Sequence, residues 1–192
     1  MFAPDELLDR GINRNVKISV LGGEPFGRVY CFVVNTNLRG DRLESQIEGV
    51  VVRALGRYTD ARGWLTELFR QDELPEGYFP AMGYLSMTHP GVARGPHEHQ
   101  EQTDGFGFLS GTYEVTLWEN RPGKDRLKEV FLLGEENPAF VIVPPGVVHA
   151  YRNIGQFDAV VMNFPNQLYA GRGRKEPVDE IRHEEIDSEF QL

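Results

Sequence analysis

The sequence predicts an all-β protein, a sandwich or barrel of short strands, on three observations. Apolar and β-branched residues come in short runs. Turn signals separate the runs at roughly 8 to 12 residue intervals. No stretch between them carries the 3.6-residue period of an amphipathic helix, and many short strands without helices are the signature of sheet packed on sheet.

Taken in order, Val16 to Leu21 alternates and stops at Gly22-Gly23, and Arg28 to Asn35 (RVYCFVVN) reads as a buried strand holding Cys31. Strands are then expected at Ile47 to Ala54, Trp64 to Phe69, Met82 to Met87, Phe106 to Leu109, Thr112 to Glu119, Leu127 to Leu133, Ala139 to Val143 and Ala159 to Phe164. The turns between them include Asp60-Ala-Arg-Gly63, Pro90-Gly91, Arg121-Pro-Gly123 and Pro144-Pro-Gly146. In the strand from Thr112, Tyr113, Val115 and Leu117 share one face and Trp118 takes the other, so both faces need a partner. Met1 to Asn15 fits a helical turn or a loose tail, and EIRHEEIDSEF near the end fits a last helix or an irregular cover.

Three segments follow: an N-terminal extension, 1–46, packed on the main domain or a partner subunit; a main β domain, 47–170; and a charged tail, 171–192. The extension has too few apolar groups for a core of its own, so it is expected to add strands to a neighbour. With 192 residues, 40% of them hydrophobic, the chain can bury one substantial core. Acids outnumber bases 29 to 20, a net charge of -9, which argues against non-specific nucleic-acid binding. One cysteine rules out an internal disulfide framework and fits the cytoplasm. The acidic start does not read as a signal peptide, and no apolar run approaches a membrane span.

The chemistry concentrates in GVARGPHEHQEQTDGFGFLSG, residues 91–111. Strand residues two apart face the same side, so His97 and His99 can converge on one interior point, with Asp104 from the next strand and His149 from a distant one. Imidazole nitrogens with a carboxylate suit Zn, Fe, Mn or Ni and supply Lewis-acid or redox capability. A plain alternative is that these histidines line a pocket and bond to water or ligand.

The spacing of Gly91, His97, His99, Asp104 and Gly111, followed by Pro144, Gly146, His149 and Asn153, resembles the two metal-binding motifs of the cupin superfamily. Asp104 stands where that superfamily has Glu, and Pro138 where its second motif opens with Gly. Three blocks resemble more particularly the dTDP-4-dehydrorhamnose 3,5-epimerase (RmlC-like) family: Asp60-Ala-Arg-Gly-Trp-Leu-Thr-Glu-Leu-Phe69, Gly91-Val-Ala-Arg-Gly-Pro-His97, and Pro144-Pro-Gly-Val-Val-His149. This resemblance implies a double-stranded β-helix (jelly roll) and a homodimer. It implies a nucleotide sugar as the small-molecule substrate, with neither nucleic acid nor membrane as partner, and no organic cofactor.

By the same resemblance, His97 would remove the proton next to the keto group of a 4-keto-6-deoxy sugar nucleotide, and Arg94 would counter the charge that develops. Tyr169 would return a proton from the opposite face, and Glu185 would orient the base. Arg62, Glu67 and Phe69 would bind the nucleotide, often from the neighbouring subunit, with His149 also contacting the substrate. A histidine titrating near ~6.5 suits such an abstraction. The family carries lysine where Asp104 stands and Gln where His99 stands. Losing a lysine while gaining His99 and Asp104 converts the pocket into a metal site of His97, His99, Asp104 and His149, whose cation replaces the lysine charge. A metal-dependent oxygenase or hydrolase, and a non-catalytic sugar-binding cupin, are the competing classes. On composition alone Arg62 and Glu67 read as a solvated pair, Phe69 and Trp64 as core, His89 as a turn residue and His183 as solvated.

Overall fold

The computed structural model describes residues 17–21, 28–33, 42–43 and 45–192. The reading of Met1 to Asn15 and the side chain of Cys31 lie outside the described residues. Among the described residues, fifteen strands form two facing sheets and a small hairpin. The larger sheet orders as β1 (Lys17–Leu21), β2 (Arg28–Val33), β11 (Leu127–Gly134), β10 (Thr112–Glu119), β13 (Val147–Asn153), β8 (Ala93–Glu98) and β15 (Ile181–Arg182). The second orders as β3 (Arg42–Leu43), β4 (Val51–Ala54), β12 (Ala139–Val143), β9 (Asp104–Phe108), β14 (Ala159–Asn163) and β7 (Tyr84–Thr88). Strands β5 (Tyr58–Asp60) and β6 (Gly63–Leu65) pair with each other. Pairing is antiparallel except where β2 lies parallel to β11.

The alternation in β10 is realised: Tyr113, Val115 and Leu117 enter the space between the sheets with Phe106, Phe108, Phe131, Val141, Tyr151 and Val161. Burying one such side chain contributes about 1.5–3 kcal/mol, which makes this layer the main source of stability. Both outer faces are also covered. On one, Trp118, Val148 and Ala150 meet Phe190 from the tail, with Leu192 beside it. On the other, Phe140 and Ile142 meet Leu55, Tyr78 and Leu109. This explains why β12 is apolar at every position rather than alternating.

The run expected from Ile47 starts as a strand only at Val51. Residues 47–50 form a turn closed by Val50 N–H to the Ile47 carbonyl, with Gly49 at φ +81°. The run expected over Trp64 to Phe69 ends at Leu65, and the Thr66 hydroxyl donates to the Gly56 carbonyl at 2.8 Å as the chain leaves the hairpin. The tail is an irregular cover rather than a helix, with the short strand β15 and a single 3-10 turn, His183–Glu185. His183, expected in solvent, is instead half-buried: its Nε2 lies 3.0 Å from Glu98 Oε1 and its ring packs on Phe190. The charged composition around it hid this, because the partner carboxylate sits on the outward side of β8.

Candidate active site

Strand β8 brings the first histidine in. His97 lies directly opposite His149 of β13, with ring centroids 4.4 Å apart. The two strands approach this closely because residue 95 is glycine. A Cβ there would sit 2.6 Å from the His149 carbonyl oxygen, and φ is +79°. His99 follows one residue beyond β8, and Asp104 opens β9 of the opposite sheet, so the loop between them crosses from one sheet to the other at the cavity. Ligand-type atoms of His97, His99, Asp104 and His149 all lie within 4.8 Å of one another.

The partners fix the tautomers. His99 Nδ1 faces the Asp179 carbonyl, which can only accept, so Nδ1 carries the hydrogen. Its Nε2 lies 2.9 Å from Asp104 Oδ2 and 3.1 Å from Gln102 Nε2, and that same amide nitrogen donates to Asp104 Oδ1 at 2.9 Å. His149 Nδ1 likewise faces the Val147 carbonyl at 3.1 Å. Its Nε2 is buried without a hydrogen bond, 3.4 Å from Asp104 Oδ2. Two imidazole lone pairs thus converge on one buried carboxylate oxygen. Such a set of electron-rich atoms is stable with a cation among them, either a proton or a metal ion.

The electrostatics agree. Burial would raise the Asp104 carboxyl, but His149 and His99 outweigh it and hold the group well below the usual carboxylate range. Burial lowers the proton affinity of His99, while Asp104 and the Asp179 carbonyl raise it further, for a net upward shift. A proton and a metal compete for the same place. His97 is pushed down to about 2, first by burial and then by His149 and His99, so it keeps a free lone pair at neutral pH. The donor set therefore fits a divalent transition metal, with the orphaned His149 Nε2 as the clearest vacant bond.

A cavity of about 790 Å³ opens over these groups, lined among others by Tyr84, Arg94, His97, Tyr151, Tyr169 and Glu180. That volume is in the range of small-molecule sites, roughly 300–1,000 Å³. A second hollow of about 490 Å³ runs along the tail from Val178 to Ile186 and contains none of the imidazoles, so the chemistry belongs to the first.

Arg94 and Tyr169 both line the cavity, and the Arg94 guanidinium is held by the Thr88 hydroxyl at 3.1 Å and the Met87 carbonyl at 2.8 Å. Glu185 does not line it; it pairs with Arg182 at 2.9 Å. The tail carboxylate that approaches His97 is Glu180, whose Oε1 lies 4.0 Å from His97 Nε2. Arg62 sits at the exposed tip of the β5–β6 hairpin bound to Asp60, Glu67 pairs with Arg53 at 3.5 Å, and Phe69 packs on Phe140 and Phe164. None of these three lines the cavity of its own chain.

Sequence reasoning passed over Tyr84, Gln102, Asp179 and Glu180. Tyr84, its phenol pushed up to about 12 by burial and by the Asp104 charge, was legible only as part of an apolar run. Gln102 had a signal, since it lies two residues before Asp104. Nothing in the acidic tail marks Asp179 or Glu180 apart from its neighbours.

Comparison with known proteins places this geometry. The spore coat polysaccharide biosynthesis protein SpsL of Bacillus subtilis is 34% identical over 125 residues, covering 64% of this chain and 82% of SpsL. The protein named "Probable low-salt glycan biosynthesis epimerase Agl13" of Haloferax volcanii is 36% identical over 126 residues, covering 64% and 81%. Among solved structures, NovW, a 4-keto-6-deoxy sugar epimerase from the novobiocin gene cluster of Streptomyces spheroides, superposes with a TM-score of 0.66 at 20% identity, covering 78% of this chain and 76% of NovW. That likeness establishes the fold as a jelly roll. The family model for the polysaccharide biosynthesis C-terminal domain matches residues 58–175, more than half of the sequence, and the chain belongs to that family.

Proposed function

We propose that the protein is a sugar-nucleotide epimerase or isomerase that removes the proton next to the carbonyl of a 4-keto-6-deoxy sugar nucleotide, assisted by a divalent transition metal. The observation that carries this reading is the convergence of the His99 and His149 lone pairs on Asp104 directly beneath a ligand-sized cavity. The names of Agl13 and NovW, both epimerases, support the reaction class. His99, Asp104 and His149 would hold the metal, leaving the His97 lone pair free beside them on the cavity side. Once bound, it would supply Lewis-acid stabilisation of the negative charge that develops on the keto oxygen.

His97 is the base in this scheme, because it is the most accessible of the four and carries a free lone pair. Glu180, 4.0 Å away, stabilises the imidazolium that forms once the proton has moved. Arg94 faces the same space and offsets enolate or phosphate charge. Tyr169 and Tyr84, both on the cavity wall, are placed to return a proton from the other face. No organic cofactor enters the scheme.

The proposal extends to a cytoplasmic homodimer. The hairpin exposes Tyr58, Trp64 and Leu65 around Arg62, an apolar face suited to a second copy, and from there Arg62 would reach the partner's nucleotide. The test is exchange of solvent deuterium into dTDP- or UDP-linked 4-keto-6-deoxy sugars. His97→Asn is expected to abolish exchange while nucleotide still raises the melting temperature. Absence of exchange in metal-loaded, nucleotide-binding wild-type protein would remove the enzymatic reading.

A further inference from the structure

Asp179, on the cavity wall, bonds both to the cluster and to the turn that carries it. Its carboxylate accepts three consecutive backbone N–H groups: Gln100 on Oδ1, Glu101 and Gln102 on Oδ2, each at 2.9 Å. Its own carbonyl accepts from His99 Nδ1. The turn it grips carries Gln102, whose amide in turn holds Asp104 and meets His99 Nε2. One residue of the tail thus reaches two of the converging groups by two routes.

From this arrangement we infer that Asp179 is the positioning residue of the metal centre proposed above, on which this inference rests. It fixes His99 in the tautomer whose Nε2 is free for a metal, and through the 100–102 turn it sets the direction of Asp104. Hydrogen-bonding partners of this kind orient ligands and typically alter metal affinity about 10- to 100-fold when removed. The carboxylate suits the task because an anion can satisfy three donors at once, which a neutral side chain cannot. The neighbouring Glu180 lies on the cavity wall, so a ligand pressing on the tail bears on the same peptide that orients His99.

Co²⁺ is the probe, because its visible absorption reports coordination number without any turnover. In chelator-buffered titrations of the full chain, Asp179→Ala is expected to bind Co²⁺ about 10- to 100-fold more weakly than wild type, with an altered visible band. Asp179→Asn, which keeps one acceptor oxygen, should fall between them. Gln102→Ala perturbs the same chain of bonds without touching the tail and should also weaken binding, so the inference stays testable if the Asp179→Ala protein does not fold. Binding within twofold of wild type, in folded Asp179→Ala or otherwise in Gln102→Ala, would overturn it. Failure of the wild type itself to bind Co²⁺ would instead sink the metal reading beneath it.

Discussion

Replacing Asp104 by Asn distinguishes the two cations that could sit between the imidazoles. In the metal-free protein the carboxylate oxygen faces the His99 and His149 lone pairs at 2.9 and 3.4 Å. An Asn of the same shape can turn its amide N–H toward His99 Nε2, exchanging an electron-rich contact for a hydrogen bond of about 0.5–1.5 kcal/mol. For a domain of this size each kcal/mol shifts the melting temperature by about 2–4 °C. Chelated Asp104→Asn protein should therefore melt at or a few degrees above chelated wild type. With metal at about 100 times its dissociation constant the order reverses, because binding adds about 2.7 kcal/mol to wild type alone, or roughly 5–10 °C. The assay is a thermal melt of both proteins with and without Zn²⁺ after exhaustive chelation. If Zn²⁺ leaves the melting temperature of chelated wild type unchanged, the cation between the imidazoles is a proton alone and the metal argument is refuted.

Two further substitutions test the scaffold. Gly95→Ala forces a Cβ to within 2.6 Å of the His149 carbonyl at φ +79°, so it should cost at least about 1–2 kcal/mol of backbone strain in a denaturant melt and separate His97 from His149. Unchanged stability and Co²⁺ binding would show that the strands need not approach so closely. Glu129 is fully buried, holds the Ser45 hydroxyl at 2.5 Å and Gln46 N–H at 2.6 Å, and is raised by burial above its ordinary 4.5. A raised carboxyl favours folding below the unfolded value and loses that contribution as pH climbs through the folded one. Glu129→Gln should thus gain on wild type between pH 5 and pH 8 in urea melts; a difference that does not change with pH would contradict this.

What could be read from the sequence follows a physical divide. Strands buried on both sides, such as β10 and β12, announced themselves to the residue, because burial alone sets their pattern. Strands β8 and β13 did not appear as apolar runs. They carry the site, so glycine, proline, histidine and arginine occupy positions that packing would otherwise fill. Their histidines were found instead by the period of two and by motif spacing. The carboxylate beside His97 was harder. Glu180 and Glu185 are alike in local sequence, and only the pairing of Ile181 with Glu98 and Arg182 with His97 decides which one reaches the cavity.

That pairing gives β8 a double use. Its inward residues, with His99 just past its end, build the cluster, while Glu98 between them points outward and accepts from Asn120 at 2.7 Å and His183 at 3.0 Å. The same short segment therefore presents ligands on one side and anchors the tail on the other, and the tail returns to bind the cluster through Asp179 and Glu180. Because Phe190 packs over Trp118 at the far end of this tail, a loss of apolar contact there can loosen the grip on His99. Site geometry and outer-face packing are in this molecule one mechanical problem, solved along the seventeen residues from 176 to 192, which carry little of the hydrophobic pattern by which the rest of the fold is recognised.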